Sequence, residues 1–262
     1  MPHPTRRRFL TQSAALAASA TPLAVPLGLL SAAATSSPAH ATSPPPWALR
    51  RIGTHNEFLP AIGMGTWQTF HVTEDRLPGT ELLQVLRQFF AGGGVLIDSS
   101  PMYDPAEDAL GHLLPQAPLV APTQKLFSAT KVWTVGEQAG IGQMEKSRAL
   151  WGVPRFDLIQ VHNLMDWQTH LKTLTRWKAE GKVRYIGVTT SHGRRHDEME
   201  KIIRTQPVDF VQFTYNLADR DAEARLLPLA REKGKAVIIN RPFDGGALFD
   251  RVRGKPLPGF AK

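Results

Sequence analysis

Cysteine is absent from the 262 residues. Disulfide staples, thiolate-bound zinc, iron–sulfur clusters and a thiol nucleophile are excluded with it. A long unbroken apolar run is absent too. The most apolar stretch, Ala14 to Ala34, is largely Ala, Ser and Thr and is interrupted by Pro22 and Pro26, which argues against a membrane anchor. Acidic residues are missing from the first 41 positions, where Arg6, Arg7 and Arg8 stand together. Of the 31 Lys and Arg, three lie there, so the rest of the chain sets 28 bases against 23 acids, a formal +5 rather than +8. Those bases are scattered, apart from Gly193-Arg194-Arg195-His196. They read as a solvated surface, not as a stripe that tracks nucleic acid.

What is present is a globular composition, 42% apolar and 21% charged, long enough for one large domain. The N-terminus reads as an address. Thr5-Arg6-Arg7-Arg8-Phe9-Leu10 precedes the weakly apolar stretch, and Ala39-His40-Ala41 offers a small-x-small cleavage site. These are the three parts of an export signal, here of twin-arginine type. The expected layout is a signal peptide over 1–41 cleaved near Ala41, a Pro-rich linker over 42–48 and one domain over 49–262. The expected location is periplasmic, reached through the twin-arginine export machinery, with no stable membrane anchor after cleavage.

The domain alternates two periods. A hairpin signal spans Arg50 to Ile62 around Gly53-Thr54-His55-Asn56. Short apolar runs then follow at Ala61–Thr66, Val95–Asp98, Leu126–Lys131, Asp157–His162, Arg184–Val188, Asp209–Phe213 and Ala236–Asn240. Helical segments lie between them, at Leu77–Ala91, Pro105–Leu114, Gly140–Trp151, Trp167–Glu180, His196–Arg204 and Ala222–Lys233, with Leu171, Leu174 and Trp177 forming one stripe. Runs apolar on both faces, each followed by an amphipathic helix, predict a parallel sheet clad in helices. No Gly-x-Gly-x-x-Gly follows the first run, as an open dinucleotide-binding sheet would want. Polar residues also end many different runs, namely Asp98, Lys131, His162, Thr189 and Asn240. A barrel brings such ends to one mouth, and the barrel is the expected architecture.

Four side chains at that mouth could do chemistry. A tyrosine is a poor acid at neutral pH. A nearby ammonium is expected to lower the pKa of Tyr103, and Lys131 can supply it. Burying Lys131 is costly unless a carboxylate pairs with it, and Asp98 is available. Tyr103 then becomes a proton donor to a carbonyl oxygen, while His162 orients that carbonyl. No side chain supplies the hydride that the activated carbonyl still needs, so a nicotinamide cofactor is implied. Each residue also has a plain structural use. Asp98 could cap a turn, Tyr103 pack a loop, Lys131 snorkel to the surface and His162 sit satisfied in the core. After Tyr103, Asp104-Pro105-Ala106-Glu107 reads as a helix start, with Asp104 as the cap. His192 and His196 stand at helical spacing but have no third ligand in view, so no metal site is expected.

These residues resemble the aldo/keto reductases. The resemblance rests on Leu59-Pro60-Ala61-Ile62-Gly63-Met64-Gly65-Thr66-Trp67 and on Ile97-Asp98-Ser99-Ser100-Pro101-Met102-Tyr103, with Glu107 and Leu110-Gly111 behind. It continues through Thr130-Lys131, Asp157-Leu158-Ile159-Gln160-Val161-His162-Asn163, Gly181 to Val188, Gln212 and Tyr215-Asn216. It implies a (β/α)8 TIM-type barrel with an N-terminal hairpin, of which seven strands are evident and the eighth is missing from the given sequence. The implied reaction is reduction of a small aldehyde or ketone by NADP(H) in the first place, or NAD(H). Tyr103 would be the acid, with Lys131 and Asp98 tuning it and His162 orienting the substrate. Cofactor contacts would fall on Gly65, Thr66, Thr189, Thr190, Gln212, Asn240, Arg241, Gly245 and Gly246, and substrate contacts on Trp67 and Trp133.

The departures are specific. Thr190 stands where the family has an amide, and Asn240 where it has an aromatic platform for the nicotinamide ring. The sequence stops at Lys262, before the family's last strand and helix, so weaker nucleotide binding is expected. An exported protein also leaves the pool that re-reduces nicotinamides. The competing reading is therefore a reductase-like barrel with weakened catalysis, acting as an exported binding or accessory protein.

Overall fold

Two short strands open the part of the chain described by the computed structural model, residues 48–120 and 124–261. The signal peptide expected over 1–41, and the linker except for Ala48, lie outside the described residues. β1 (Leu49–Arg51) and β2 (Phe58–Pro60) pair antiparallel, with Leu49 opposite Pro60. Gly53 takes φ +47° in their turn, and a Cβ there would stand 2.3 Å from the Gly234 carbonyl oxygen. Only glycine lets the hairpin lie that close to the chain.

Seven parallel strands follow, each hydrogen-bonded to the next in chain order: β3 (Met64–Gly65), β4 (Leu96–Asp98), β5 (Phe127–Val132), β6 (Phe156–Val161), β7 (Val183–Thr189), β8 (Phe210–Thr214) and β9 (Ala236–Asn240). Each is followed by a helix: α1 (Leu82–Ala91), α2 (Ala106–Leu113), α3 (Glu137–Trp151), α4 (Trp167–Ala179), α5 (His196–Thr205), α6 (Leu226–Glu232) and α7 (Ala247–Val252). The sheet curls into a half-barrel with β3 and β9 at its edges. This is the parallel strand-helix architecture that the alternating periods predict. No helix among the described residues is long and apolar enough to cross a membrane.

Period two divides the sheet's faces. Outward residues such as Ile97, Val132, Ile159, Val161, Ile186, Val188, Val211 and Phe213 pack against the helices. There they meet the α4 stripe of Leu171, Leu174 and Trp177, all buried. A second core lies inside the curl at the strands' N-terminal ends. It joins Leu96, Phe127, Ala129, Leu158, Tyr185, Phe210 and Ala236 to Ile52 and Leu59 of the hairpin region. Burying one such aliphatic or aromatic side chain contributes about 1.5–3 kcal/mol, so the hairpin packs as a floor under this inner core.

Several boundaries differ from the sequence expectation, three of them instructively. β3 is two residues long instead of six, because it is an edge strand whose neighbour β4 offers only three. α1 begins at Leu82 instead of Leu77, because Pro78-Gly79 break the segment into a separate 3-10 turn, Glu74–Gly79. The cap expected at Asp104 is corrected as well. α2 begins at Ala106 with Pro105 in the capping position and no side-chain cap, and Glu107 turns inward. The carboxylate that looked like part of a capping pair serves a buried network instead.

Candidate active site

One step along the inward face carries each strand from core to chemistry. Two residues past Leu96 comes Asp98, past Ala129 comes Lys131, past Leu158 comes Gln160 and past Phe210 comes Gln212. Since side chains alternate along a strand, these polar residues form a rung above the apolar floor. His162 follows β6 directly, and Tyr103 closes a 3-10 turn, Pro101–Tyr103, after β4.

Asp98 is the hub of this rung. The fully buried Lys131 ammonium donates to Asp98 Oδ2 at 2.7 Å and to the Ser99 carbonyl at 2.7 Å. Gln160 Nε2 donates to Asp98 Oδ1 at 3.1 Å, and Gln212 Nε2 to Oδ2 at 3.2 Å. Gly187, paired beside Gln160 on β7, leaves room for that side chain, since a Cβ there would meet Phe210 O at 2.7 Å and Gln160 Cγ at 3.2 Å. A charge this deeply buried is tolerable only when paired and hydrogen-bonded. Burial pulls the Lys131 pKa down, but Asp98 and Tyr103 more than offset it, and the ammonium stays charged.

Lys131 lies 5.0 Å from the centroid of the Tyr103 ring. With two of its three N–H groups committed, the third is left for the phenol. The Tyr103 and His162 rings meet edge-on, with centroids 5.6 Å apart. The expected lowering of the Tyr103 pKa is corrected here. Burial pushes it up, Lys131 pulls it down and Asp98 pushes it up again, for a net rise. Desolvation outweighs the ammonium, so Tyr103 is a protonated phenol across the neutral range. Burial and the Lys131 charge drive the His162 pKa down to about 2, so the imidazole is neutral. Its Nδ1 lies 2.8 Å from Ser100 Oγ.

A cavity of about 630 Å³ has Asp98, Tyr103 and His162 in its wall, whereas the fully buried Lys131 does not line it and reaches the site through Asp98 and Tyr103. Of the expected contact residues, the wall also holds Gly65, Thr66, Trp67, Thr189, Gln212, Asn240 and Arg241. Thr190, Trp133, Gly245 and Gly246 do not line it. Thr190 is buried behind the wall with an unpartnered Oγ1. The Trp133 backbone is held by Gln143. Gly245 lies under the Arg241 guanidinium, where a Cβ would approach Nη2 to 3.2 Å.

The wall can be tested for fit to a nicotinamide. Gly65 leaves open space where a Cβ would stand, so a flat ring can approach it. Thr189 Oγ1 and the Gln212 amide offer groups for a carboxamide, and the idle Thr190 hydroxyl lies just behind. In this structure Gln212 is engaged at both ends, accepting from Thr189 Oγ1 at 3.0 Å while it donates to Asp98. Asn240 accepts from Thr214 Oγ1 and donates to the Thr190 carbonyl, each at 2.7 Å. It ties three strand ends together and is no stacking platform. Ring approach and carboxamide contacts fit, and stacking at position 240 does not. Among the described residues no group of three or more His, Asp or Glu side chains could hold a metal ion.

Sequence reasoning missed Ser100 and Gln160 as parts of the site, and Glu107 as the acceptor of a buried network outside the cavity wall. Glu107 accepts from Thr130 Oγ1 at 2.5 Å, Ser147 Oγ at 2.6 Å and Trp151 Nε1 at 3.2 Å. Burial raises its pKa. The signal for Gln160 was a lone amide two residues before His162 in an otherwise apolar strand.

Comparison with known proteins agrees with this geometry. An NADH-specific methylglyoxal reductase of Escherichia coli (strain K12) is 24% identical over 243 residues, covering 80% of this chain and 72% of its own. An aldo/keto reductase from Klebsiella pneumoniae, solved with NADP and acetate, superposes with a TM-score of 0.61 at 24% identity, over 75% of this chain and 68% of that one. A thermostable aldo-keto reductase bound to the inhibitor epalrestat gives 0.62 at 23% identity, over 81% and 76%. The model of the aldo/keto reductase family matches residues 61–260. A curled parallel sheet with this hub at its mouth and a family match over nearly all its described length make the chain a member of the aldo/keto reductase family.

Proposed function

We propose that the protein reduces a small aldehyde or ketone to an alcohol with a nicotinamide cofactor, Tyr103 giving the proton. The observation that carries this is the meeting of a protonated phenol, a buried ion pair and a neutral imidazole at one cavity wall. A dihydronicotinamide held there would supply the hydride that the carbonyl carbon takes up. Tyr103 transfers its phenolic proton to the carbonyl oxygen as the C=O π bond is lost. The phenolate left behind lies beside the Lys131 ammonium, which Asp98 holds in place, so the charge that develops has a partner before it forms. His162 aligns the carbonyl oxygen. Gly65, Thr189, Gln212, Asn240 and Arg241 would hold the cofactor, and Trp67 the substrate. Burial keeps the Tyr103 phenol protonated, and the Lys131 ammonium beside it offsets part of the cost of giving the proton up.

NADPH is the proposed reductant and NADH the alternate. The K. pneumoniae structure is described with NADP, and the E. coli relative is named NADH-specific. The export signal proposed for residues 1–41, cleaved near Ala41, would place the enzyme in the periplasm with a cofactor loaded before transport. Replacing Arg6 and Arg7 by Lys should then leave uncleaved precursor in the cytoplasm. Decisive evidence comes from the purified protein given NADPH or NADH with a 2-oxoaldehyde or an aromatic aldehyde. Nicotinamide absorbance should fall, and Tyr103→Phe should slow that fall by about 10²–10⁴-fold without loss of folding. Equal rates in the two proteins would remove Tyr103 from the chemistry. The engaged Asn240 amide favours one second reading, an exported protein that binds nucleotide or carbonyl ligand without turnover. Binding with no absorbance loss would select it.

A further inference from the structure

Ser100 is fully buried one residue before the 3-10 turn that presents Tyr103. Its Oγ has two partners. The Met102 backbone N–H donates to it at 3.2 Å, and His162 Nδ1 lies 2.8 Å away. A serine hydroxyl has one proton to give and two lone pairs to receive. If Nδ1 carried a proton, Ser100 would accept from both neighbours, and its own proton would have no acceptor among the described residues. Buried polar groups are rarely left that way, because each unsatisfied one costs roughly 1–3 kcal/mol. The arrangement in which every group is satisfied has the Ser100 O–H donating to a bare Nδ1. The neutral ring then carries its one proton on Nε2.

We propose that Ser100 is a positioning residue that fixes His162 as the Nε2–H tautomer and so makes it a hydrogen-bond donor to a carbonyl oxygen in the cavity. His162 lines that cavity, and its edge-on contact with Tyr103 keeps the ring plane in place. The other tautomer would aim a lone pair at the substrate oxygen and repel it. Which ring nitrogen holds the proton is set by what the other nitrogen bonds, and here the partner is a side chain on a different strand-helix connection. The turn that presents the acid thus also sets the polarity of the residue that orients the substrate. The use of this donor rests on the carbonyl-reductase reading, whereas the tautomer itself does not.

The experiment is nitrogen-15 NMR of the histidine rings in the unliganded protein, with His162 assigned by its loss in His162→Asn. The expected spectrum shows His162 Nδ1 as the unprotonated, pyridine-type nitrogen and Nε2 as the protonated one at neutral pH. In Ser100→Ala the two tautomers should mix, and Ser100→Thr, which keeps the hydroxyl, should restore the single form. A proton on Nδ1 in the unmodified protein, or an unchanged tautomer in a folded Ser100→Ala, would overturn the proposal. If Ser100→Ala does not fold, the spectrum of the unmodified protein decides alone. Activity adds the functional half. Ser100→Ala should lose roughly tenfold in kcat/KM for an aldehyde, the scale of one hydrogen bond to the reacting group. Ser100→Thr should recover most of it, which restored packing alone would not predict. The expected spectrum with no carbonyl reduction by the unmodified protein would refute the enzymatic reading and leave the tautomer standing.

Discussion

The two ends of the half-barrel are built to opposite rules. At the floor, polar groups are paired redundantly. Asp209 receives the Lys178 ammonium on both oxygens at 2.6 and 2.7 Å, lies 3.1 Å from His55 and accepts the Ile186 N–H. Glu57 accepts from Tyr185 and Arg184, and Arg184 also reaches Asp157. Where the floor's turns need a left-handed backbone, at residues 53, 93, 152, 181 and 234, the residue is glycine. The mouth differs in both respects. Its loops put eight non-glycine residues at positive φ, namely Gln68, Asn163, Leu164, Asp166, His192, Arg195, Arg241 and Asp244. The buried side-chain atoms without a partner among the described residues, Gln160 Oε1, His170 Nδ1, Thr190 Oγ1 and His196 Nε2, lie in this half too. Strain and unmet polar groups persist only where the rest of the fold over-determines them, and they gather at functional sites. The difference teaches that the floor holds the stability and the mouth uses part of it.

The sharpest way to break that comparison is to cut the hub at each end. Tyr103→Phe should abolish most carbonyl reduction, by about 10²–10⁴-fold, with a melting temperature close to that of the unmodified protein. Asp209→Ala should do the reverse. It strands Lys178 and the Ile186 N–H at a site that is 8% exposed on the acid's side and 33% on the lysine's. The expected cost, after allowing for that partial exposure, is about 2–3 kcal/mol of unfolding free energy. Urea unfolding and steady-state rates on the two variants measure both quantities. If Asp209→Ala lowers the rate constant of the still-folded protein as much as it lowers stability, the two ends are not separable.

Acid should expose the mouth's cost directly. The folded His162 pKa, about 2, lies below its unfolded value of about 6.5. Below pH 6.5 the unfolded chain therefore takes up a proton that the folded chain refuses, and stability falls as pH falls. The slope from this one group is about 1.4 kcal/mol per pH unit, or roughly 2 kcal/mol between pH 6.5 and 5. Unfolding curves at several pH values should show that decline, and His162→Asn should remove about that much of it. An identical pH dependence in the two proteins would mean that the imidazole is not held neutral.

Much of this could be read from the chain. All seven strands and the six helices between them were visible in the alternation of periods, because burying both faces of a parallel sheet leaves little sequence freedom, whereas the short α7 after the last strand was not. The polar rung was visible for a related reason. Leu96 to Asp98, Ala129 to Lys131 and Leu158 through Gln160 to His162 are steps of two, and a polar residue ending an apolar strand has few structural uses. What failed was local balance. A dipeptide such as Asp104-Pro105 carries the pattern of a helix cap but not the packing that draws Glu107 inward. The Tyr103 pKa depended on how far burial outweighs one ammonium, which no spacing encodes. Gln212 and Asn240 were legible as wall residues, yet their present partners, Thr189 and Asp98 for one and Thr214 and Thr190 for the other, come from neighbouring strand ends that only the curl brings together.

The smallest test is also the cleanest, because it touches no contact. Gln68 is exposed, holds φ +64° in the loop after β3, and makes no side-chain hydrogen bond among the described residues. A left-handed backbone costs an ordinary residue about 1–2 kcal/mol, and glycine escapes that cost but loses more chain entropy on folding. Gln68→Gly should therefore stabilise the protein by about 0.5 kcal/mol net, seen as a small upward shift in the urea midpoint. If the strain also keeps the wall beside Trp67 in shape for substrate, KM for an aldehyde should rise while kcat holds. Greater stability with unchanged KM would show that strain at this loop is tolerated and not used, and would confine the functional part of the mouth to the loops carrying His162 and Arg241.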